Sequence, residues 1–331
     1  MKIKSRLAYV FILFLVFNSS NSYAWDSFGH MVVAYLAYQK LNPDVQQRAN
    51  QLLKLNPSYS KWSGWIPEGM SAENSQMMIF MFAATWPDEI KGIPHQAPPI
   101  NPETGQQYEA DGSDGGDRAD GSPNASANEG YSDNSMHKYW HFVDTPFSTD
   151  GTALPPIPVP NAEGRIALFR NVLASDSSDS LKSYDLTWLL HLVGDVHQPL
   201  HCATRVSSVS PNGDAGGNDV KLNGNPNELH MFWDNVIGVD KSPATIVNQV
   251  VAVAKTLPDP DPIQAADTSE SDWVSESFRI ATEDVYTSPI GPGNGPFTLS
   301  SDYKIMAKKI AGERMALAGA RLANLLNTNL K

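Results

Sequence analysis

Apolar residues recur at helical spacing along most of this chain. Between Gly29 and Leu41, Val32/Val33 and Leu36/Ala37 lie four apart, which is the repeat of a helix face. Asn42-Pro43 reads as an N-cap followed by proline at the first helical position. The helix after it carries Val45, Ala49, Leu52 and Leu53 on one side. Met77 to Ala84 predicts a short apolar helix. Glu163 to Ala174 predicts another, built on Ile166, Phe169 and Leu173. Ser180 to about Val196 is so strongly apolar that it predicts a central buried helix. Trp273 to Val285 and Ser301 to Asn327 close the chain, the last with Ile310, Leu317 and Leu325 on one stripe. No alternating run reads as a well-formed strand, and no internal repeat is visible. The pattern predicts an all-α fold.

Two stretches break the periodicity. Residues 94–135 are rich in Pro, Gly, Asp, Ser and Asn, and predict a long insertion with little fixed structure. Within it, Asp111-Gly-Ser-Asp114-Gly-Gly-Asp117-Arg-Ala-Asp120-Gly is like a fragment of a calcium loop. It lacks the terminal glutamate and the flanking helices of an EF-hand, so it reads as a solvated acidic loop. Asn124-Ala-Ser126 is a formal glycosylation sequon. The second irregular stretch, Arg205 to Glu228, is expected to pass over the active site.

The first 24 residues read as a secretory signal. Lys2, Lys4 and Arg6 form a basic start, Leu7 to Phe17 is an uncharged apolar run, and Ser22-Tyr23-Ala24 supplies the small residues of a cleavage site. The apolar run is too short to span ~30 Å of hydrocarbon as a helix. The mature protein is therefore expected to begin at Trp25, exported to the periplasm or the medium, with residues 25–331 as one domain and no stable membrane association.

Charge then narrows the chemistry. The chain has 24 basic and 36 acidic residues, a net charge of −12, and loss of the basic leader makes it about −15. This argues against a nucleic-acid binder that works through a basic patch. A polyanionic substrate stays open if bound metal supplies positive charge. Cys202 stands alone, so no internal disulfide can form; it reads as a small buried side chain.

Nine positions carry the candidate chemistry: Trp25, His30, Asp88, His141, His191, Asp195, His201, His230 and Asp234. Imidazoles and carboxylates without thiolate suit hydrolytic zinc, and there are too many for one tetrahedral ion. His191-x-x-x-Asp195 and His230-x-x-x-Asp234 each place two ligands on one helix face. A single such pair also serves as an ordinary helix-stabilising contact, but two of them inside apolar stretches need partners. A new terminus at Trp25 would offer an amine and a carbonyl oxygen that chelate in a five-membered ring. The count suggests two or three metals and phosphate-ester hydrolysis.

These motifs resemble a known family. Ala24/Trp25-x-x-x-Gly29-His30, Thr85-Trp-Pro-Asp88-x-x-Lys91, Trp140-His-Phe-x-Asp144, His191-Leu-Val-Gly-Asp-x-His-Gln-Pro-Leu-His201, Gly216-Gly-Asn218 and Leu229-His-x-x-Trp-Asp234 are similar to the single-strand-specific zinc nuclease/3′-nucleotidase family. Trp273-x-x-Glu276-Ser277 and Ala318-Gly-x-Arg-Leu-Ala323 extend the likeness over essentially the whole mature chain. The resemblance implies a phospholipase C/nuclease-like helical fold around three Zn²⁺ per chain. By position, Asp88, His141, His191 and Asp195 would hold one zinc. His201, His230 and Asp234 would hold the second, and the Trp25 amine and carbonyl, His30 and Asp195 the third. It further implies that Asp88 orients the attacking water, Lys91 contacts phosphate, Phe142 stacks on a base, Asp144 hydrogen-bonds it and Asn218 lies on the substrate side. The substrates so implied are single-stranded DNA and RNA, cut to 5′-phosphate products, and 3′-nucleotides, which lose their phosphate; the protein is expected to be a monomer.

The chain departs from the family pattern in three places. The acidic insertion separates Asp88 from His141. The stretch between His201 and His230 is somewhat long, and the disulfides of eukaryotic relatives cannot form, which fits a bacterial member. Two rival readings differ in what they require. A zinc phospholipase C on the same fold tends to have Glu in place of Asp234 and lacks the Lys91 and Phe142-x-Asp144 signals. An exported zinc store needs neither Lys91 nor Phe142. His197 is expected beside the metals or at the surface, His137 near the rim, and His95 has no assigned role.

Overall fold

The computed structural model describes residues 25–91, 100–101, 105–108, 127–238 and 243–330. Among them, helices follow one another in the order α1 (Ser27–Tyr38), α2 (Pro43–Leu53), α3 (Tyr59–Gly64), α4 (Ala72–Ala83), α5 (Trp86–Ile90), α6 (Ala162–Ala174), α7 (Asp179–Asp195), α8 (Leu229–Asp234), α9 (Pro243–Ala254), α10 (Pro262–Ala266), α11 (Glu270–Ile280) and α12 (Ser301–Asn329). The all-α expectation holds. Side chains start several of these helices. Asp26 accepts from the Gly29 amide at 2.9 Å, Asn161 from Gly164 at 3.1 Å, and Ser300 from Tyr303 at 3.1 Å. Caps of this kind stabilise a helix by about 1 kcal/mol each.

Helix α7 is the centre of the molecule. Every residue from Lys182 to Asp195 is buried, because α6, α2 and α12 cover it on different sides. Such a helix needs apolar residues all round, and the run Leu186 to Val193 provides them apart from Thr187 and His191. Its C-terminal end is therefore a rigid, dry platform. Helix α1 lies between α12 and α4 and also touches α7, which brings the first described residues to the same place.

Some boundaries and contacts differ from the expectation. Helix α4 begins at Ala72, well before Met77, because Ser71 caps it by accepting from the Asn74 amide. Trp273–Val285 divides into α11 and a wider turn, Ala281–Val285. Among the described residues two short parallel strands exist, β1 (Thr145–Ser148) and β2 (Ala203–Val206), with Thr145 opposite Ala203. Both faces of β2 are buried, so it leaves no alternation to read. His137 is not at a rim. It is fully buried, its left-handed backbone (φ 48°) turning the ring flat onto Trp140 at 3.6 Å between centroids.

The described parts of the expected insertion have fixed structure. Tyr108 and Tyr131 are buried and meet Trp86 edge-on, at 5.4 and 6.0 Å between centroids. The leader, His95, the Asp111–Gly121 run and the Asn124 sequon lie outside the described residues. Among the described residues, no helix is long and apolar enough to cross a membrane.

Candidate metal centre

The C-terminal end of α7 presents His191 and Asp195 on one face, both fully buried. His191 donates from Nδ1 to the Ala84 carbonyl at 2.7 Å. That bond fixes the tautomer and leaves a lone pair on Nε2. His191 Nε2 points at His141 Nδ1, 2.9 Å away, and His141 Nδ1 is also 3.0 Å from Asp195 Oδ2. Helix α5 is short, yet its position at the end of α4 sends Asp88 into the same space. Asp88 Oδ1 lies 3.5 Å from His191 Nε2 and 3.9 Å from His141 Nδ1. Lys91, at the end of α5, brings Nζ within 2.6 Å of Asp88 Oδ1.

His30 of α1 completes this side. Its ring stacks on His191 at 3.7 Å, and its Nε2 is 3.3 Å from Asp195 Oδ1. The close approach requires Gly194: a Cβ there would sit 2.9 Å from His30 Nδ1. Trp25 is fully buried and donates its indole N–H to the Gly194 carbonyl at 3.0 Å. The Asp26 amide donates to the Asp234 carbonyl at 3.2 Å, so the chain near Trp25 is tied to the second half of the cluster.

In that second half, His201 donates from Nδ1 to the His141 carbonyl at 2.8 Å. His230 donates from Nδ1 to the Gly216 carbonyl at 2.7 Å. Both rings therefore present Nε2 as an acceptor, and the two Nε2 atoms face each other at 3.1 Å. Asp234 Oδ2 is 3.6 Å from His230 Nε2. Gln198 holds the other Asp234 oxygen with an N–H donor at 2.7 Å.

Metal fits these residues. Two nitrogen lone pairs facing each other repel unless a cation sits among them. Elsewhere in the cluster, both ring nitrogens of His30, Nε2 of His141 and Oδ1 of Asp195 are buried without a hydrogen bond, a costly state for polar atoms. Among the described residues, three sets have their ligand atoms within 4.8 Å of one another: His30, Asp88 and His191; His141, His191 and Asp195; His201, His230 and Asp234. Burial sets the electrostatics. It lowers the pKa of His30, His141, His191 and His201 and raises those of Asp195 and Asp234. Dry surroundings oppose charge on these groups, and a bound cation reverses that preference for the carboxylates.

Of the substrate-side candidates, Phe142 meets the cluster directly. Phe142 is buried, its ring centroid 4.7 Å from that of His201. Asp144 is buried with a left-handed backbone, φ 52°. Asn218 directs its amide N–H at the Ala215 carbonyl, 2.6 Å away, so its side chain is engaged within its own loop.

Supporting residues went unread in the sequence. Gln198 sits between Asp195 and His201, and its place inside the ligand run is the available signal. Asp214 accepts from the Gly217 amide at 3.2 Å and from Tyr286 Oη at 3.0 Å, steadying the loop whose Gly216 carbonyl orients His230. His197 is buried and points away from the ligands, donating from Nδ1 to the Val193 carbonyl at 2.7 Å. Cys202 is buried, and burial pushes its thiol pKa up.

A sequence model of the S1/P1 nuclease family matches residues 25–331. Endonuclease 4 of Arabidopsis thaliana is 30% identical over 174 residues, covering 46% of this chain and 54% of that protein. Endonuclease 3 of the same plant is 25% identical over 343 residues, covering 97% and 94%. Nuclease S1 of Aspergillus oryzae is 35% identical over 68 residues, covering 20% and 21%. The chain thus spans about half the length of the first of these relatives and nearly all of the second.

Proposed function

The chain belongs to the S1/P1 nuclease family, and from that premise we propose that it is an exported zinc-dependent phosphodiesterase. Its substrates are single-stranded DNA and RNA, cut to 5′-phosphate products, and 3′-nucleotides, which it dephosphorylates. The facing Nε2 atoms of His201 and His230, 3.1 Å apart beside Asp234, are the observation that carries the reading.

In this proposal three zinc ions are held as the resemblance implies. His201, His230 and Asp234 hold one; Asp88, His141, His191 and Asp195 hold another; Trp25, His30 and Asp195 hold the third. The chemistry that zinc supplies is Lewis acidity, which withdraws charge from phosphoryl oxygens and lets water ionise near neutral pH. Asp88 aligns that water as general base. Lys91, 2.6 Å from Asp88, neutralises a phosphoryl oxygen as charge develops. Phe142 stacks on a splayed base, which selects single strands because paired bases are not free to stack on protein. Asp144 accepts from the base, and Asn218 contacts the substrate.

Residues 1–24 act as an export signal in this proposal, and their removal makes the Trp25 nitrogen an amine able to bind metal. An isolated monomer with residues 25–331 as its catalytic domain then suffices. Purified protein stripped with chelator and restored with zinc tests the reading. It should regain cleavage of a single-stranded oligonucleotide, with far slower cleavage of the duplex and none of phosphatidylcholine. Equal rates on single and double strands would defeat the single-strand assignment.

A further inference from the structure

The turn that carries Gly216 is fixed from one point. Ala215, Gly216 and Gly217 all have left-handed backbone, with φ of 53°, 58° and 84°. Alanine adopts that conformation only at a steric cost, so the turn needs outside support. It is also wedged in place: a Cβ on Gly216 would lie 2.6 Å from the Leu200 carbonyl oxygen, next to His201. Its carbonyls serve the metal side. Gly216 accepts from His230 Nδ1 at 2.7 Å, and Gly217 accepts from the His230 amide at 3.3 Å. The Ala215 carbonyl accepts from the Asn218 side chain at 2.6 Å. The fully buried Asp214 carboxylate gathers the donors around this turn. Its Oδ1 accepts from the amides of Arg205 and Gly217, at 3.0 and 3.2 Å. Tyr286 Oη lies 3.0 Å from both Asp214 oxygens. The Arg205 guanidinium sits over the Tyr286 ring, 4.7 Å from its centroid. It also donates to the Gly291 and Gly293 carbonyls, at 2.8 and 2.5 Å, which straps the chain beyond α11 to the turn.

We propose that Asp214 is a positioning residue for the metal held by His201, His230 and Asp234, and that Tyr286 anchors it from beyond α11. A carboxylate is an acceptor at both oxygens, which suits the N–H and O–H donors that converge here. Loss of one of those bonds lets the costly left-handed turn relax. The Gly216 carbonyl then no longer fixes which His230 nitrogen carries the proton, and a ring protonated on Nε2 has no lone pair there for metal. The same relaxation shifts Asn218, so one clamp serves both a ligand and a residue assigned to substrate. The proposal rests on the zinc reading of the cluster. It adds Asp214 and Tyr286, which are not among the ligands.

The test uses full-length processed, zinc-loaded protein, from which zinc is withdrawn by titration with the chromogenic chelator 4-(2-pyridylazo)resorcinol. Tyr286→Phe removes one hydroxyl and keeps the ring beneath Arg205. It should release one zinc at about 10–100-fold lower chelator concentration than the parent, the scale seen when a ligand's supporting hydrogen bond is lost. The remaining zinc should leave as it does from the parent. Asp214→Asn puts an N–H donor where an acceptor is needed and should loosen the same ion further. Added zinc should restore the turnover number of Tyr286→Phe on a single-stranded oligonucleotide but leave its KM raised, because Asn218 stays displaced. Thermal melting in excess zinc should match the parent, which a merely structural role for the hydroxyl would not give. If Asp214→Asn fails to fold, the tyrosine variant alone decides. The proposal is overturned if Tyr286→Phe releases its zinc as the parent does, if it loosens all of its zinc equally, or if the parent holds no zinc. A parent that holds zinc but cuts no strand would defeat the nuclease reading instead, and zinc release would still decide the clamp.

Discussion

Arg321 Nη1 donates a hydrogen bond to His197 Nε2 across 3.0 Å, joining the last helix to the chain just beyond Asp195. The same guanidinium makes a two-pronged pair with Glu276, at 2.7 and 2.8 Å. Arg314 adds a bond from Nη1 to Glu276 at 2.8 Å. Glu276 and Arg321 are thus a partly buried brace that ties α11 and α12 to the platform carrying the candidate metal ligands. Arg321→Met leaves His197 Nε2 without its donor and Glu276 with Arg314 alone, and should destabilise the protein by about 1–3 kcal/mol. Arg321→Lys keeps the charge but loses the fork and should fall between. Urea unfolding measures both; a loss under about 1 kcal/mol for the methionine variant would show that the brace does not matter.

Asp88→Asn should lower turnover of a single-stranded oligonucleotide by about 10²–10⁴, the usual reach of a positioned general base. Its melting temperature should stay close to that of the parent. Steady-state kinetics beside thermal melting check the pair, and full activity would remove Asp88 from its proposed role.

Gly194→Ala should act through His30. The added Cβ would lie 2.9 Å from His30 Nδ1, a ring held between Asp195 and His191 with no room to retreat. One zinc should be lost and activity should fall about 10–100-fold, the scale of damage to a ligand's supporting contacts. Metal analysis of the variant decides it, and an unchanged zinc content would contradict the proposed third site.

Asp185 predicts a pH effect away from the metals. Burial raises its carboxyl pKa to about 8, although Asn128 donates to it at 2.9 Å. The folded state therefore holds this proton well above the unfolded value of ~3.9. The group costs nothing below that value, and it costs stability progressively as pH climbs from there to about 8. Asp185→Asn keeps an acceptor and removes the cost. The variant should match the parent near pH 4 and exceed it by roughly 2–5 kcal/mol at pH 8. Denaturation at both pH values checks this, and an equal difference at each would contradict it.

What the sequence revealed follows from how each feature is encoded. His191/Asp195 and His230/Asp234 were legible because one helical turn brings i and i+4 together whatever surrounds them. Helix α7 was legible because burial on all sides demands a run that is apolar at most of its positions. Helix α5 was not, since five residues are too few to show a period, although Asp88 and Lys91 announced themselves by type. His137 was misplaced because a single left-handed residue, not any pattern, turns its ring into the core. The strands β1 and β2 escaped because four residues, buried on both faces in β2, carry no alternation. Contacts such as Gln198 to Asp234, 36 positions apart, belong to tertiary structure and leave only a polar residue where an apolar one would serve packing better.

The central claim is a three-zinc centre assembled by Trp25, His30, Asp88, His141, His191, Asp195, His201, His230 and Asp234. The most direct measurement is the zinc-to-protein ratio of the purified, processed protein, by inductively coupled plasma mass spectrometry after dialysis against zinc-free buffer. The account predicts three zinc ions per chain. A saturated ratio of two or fewer would contradict it.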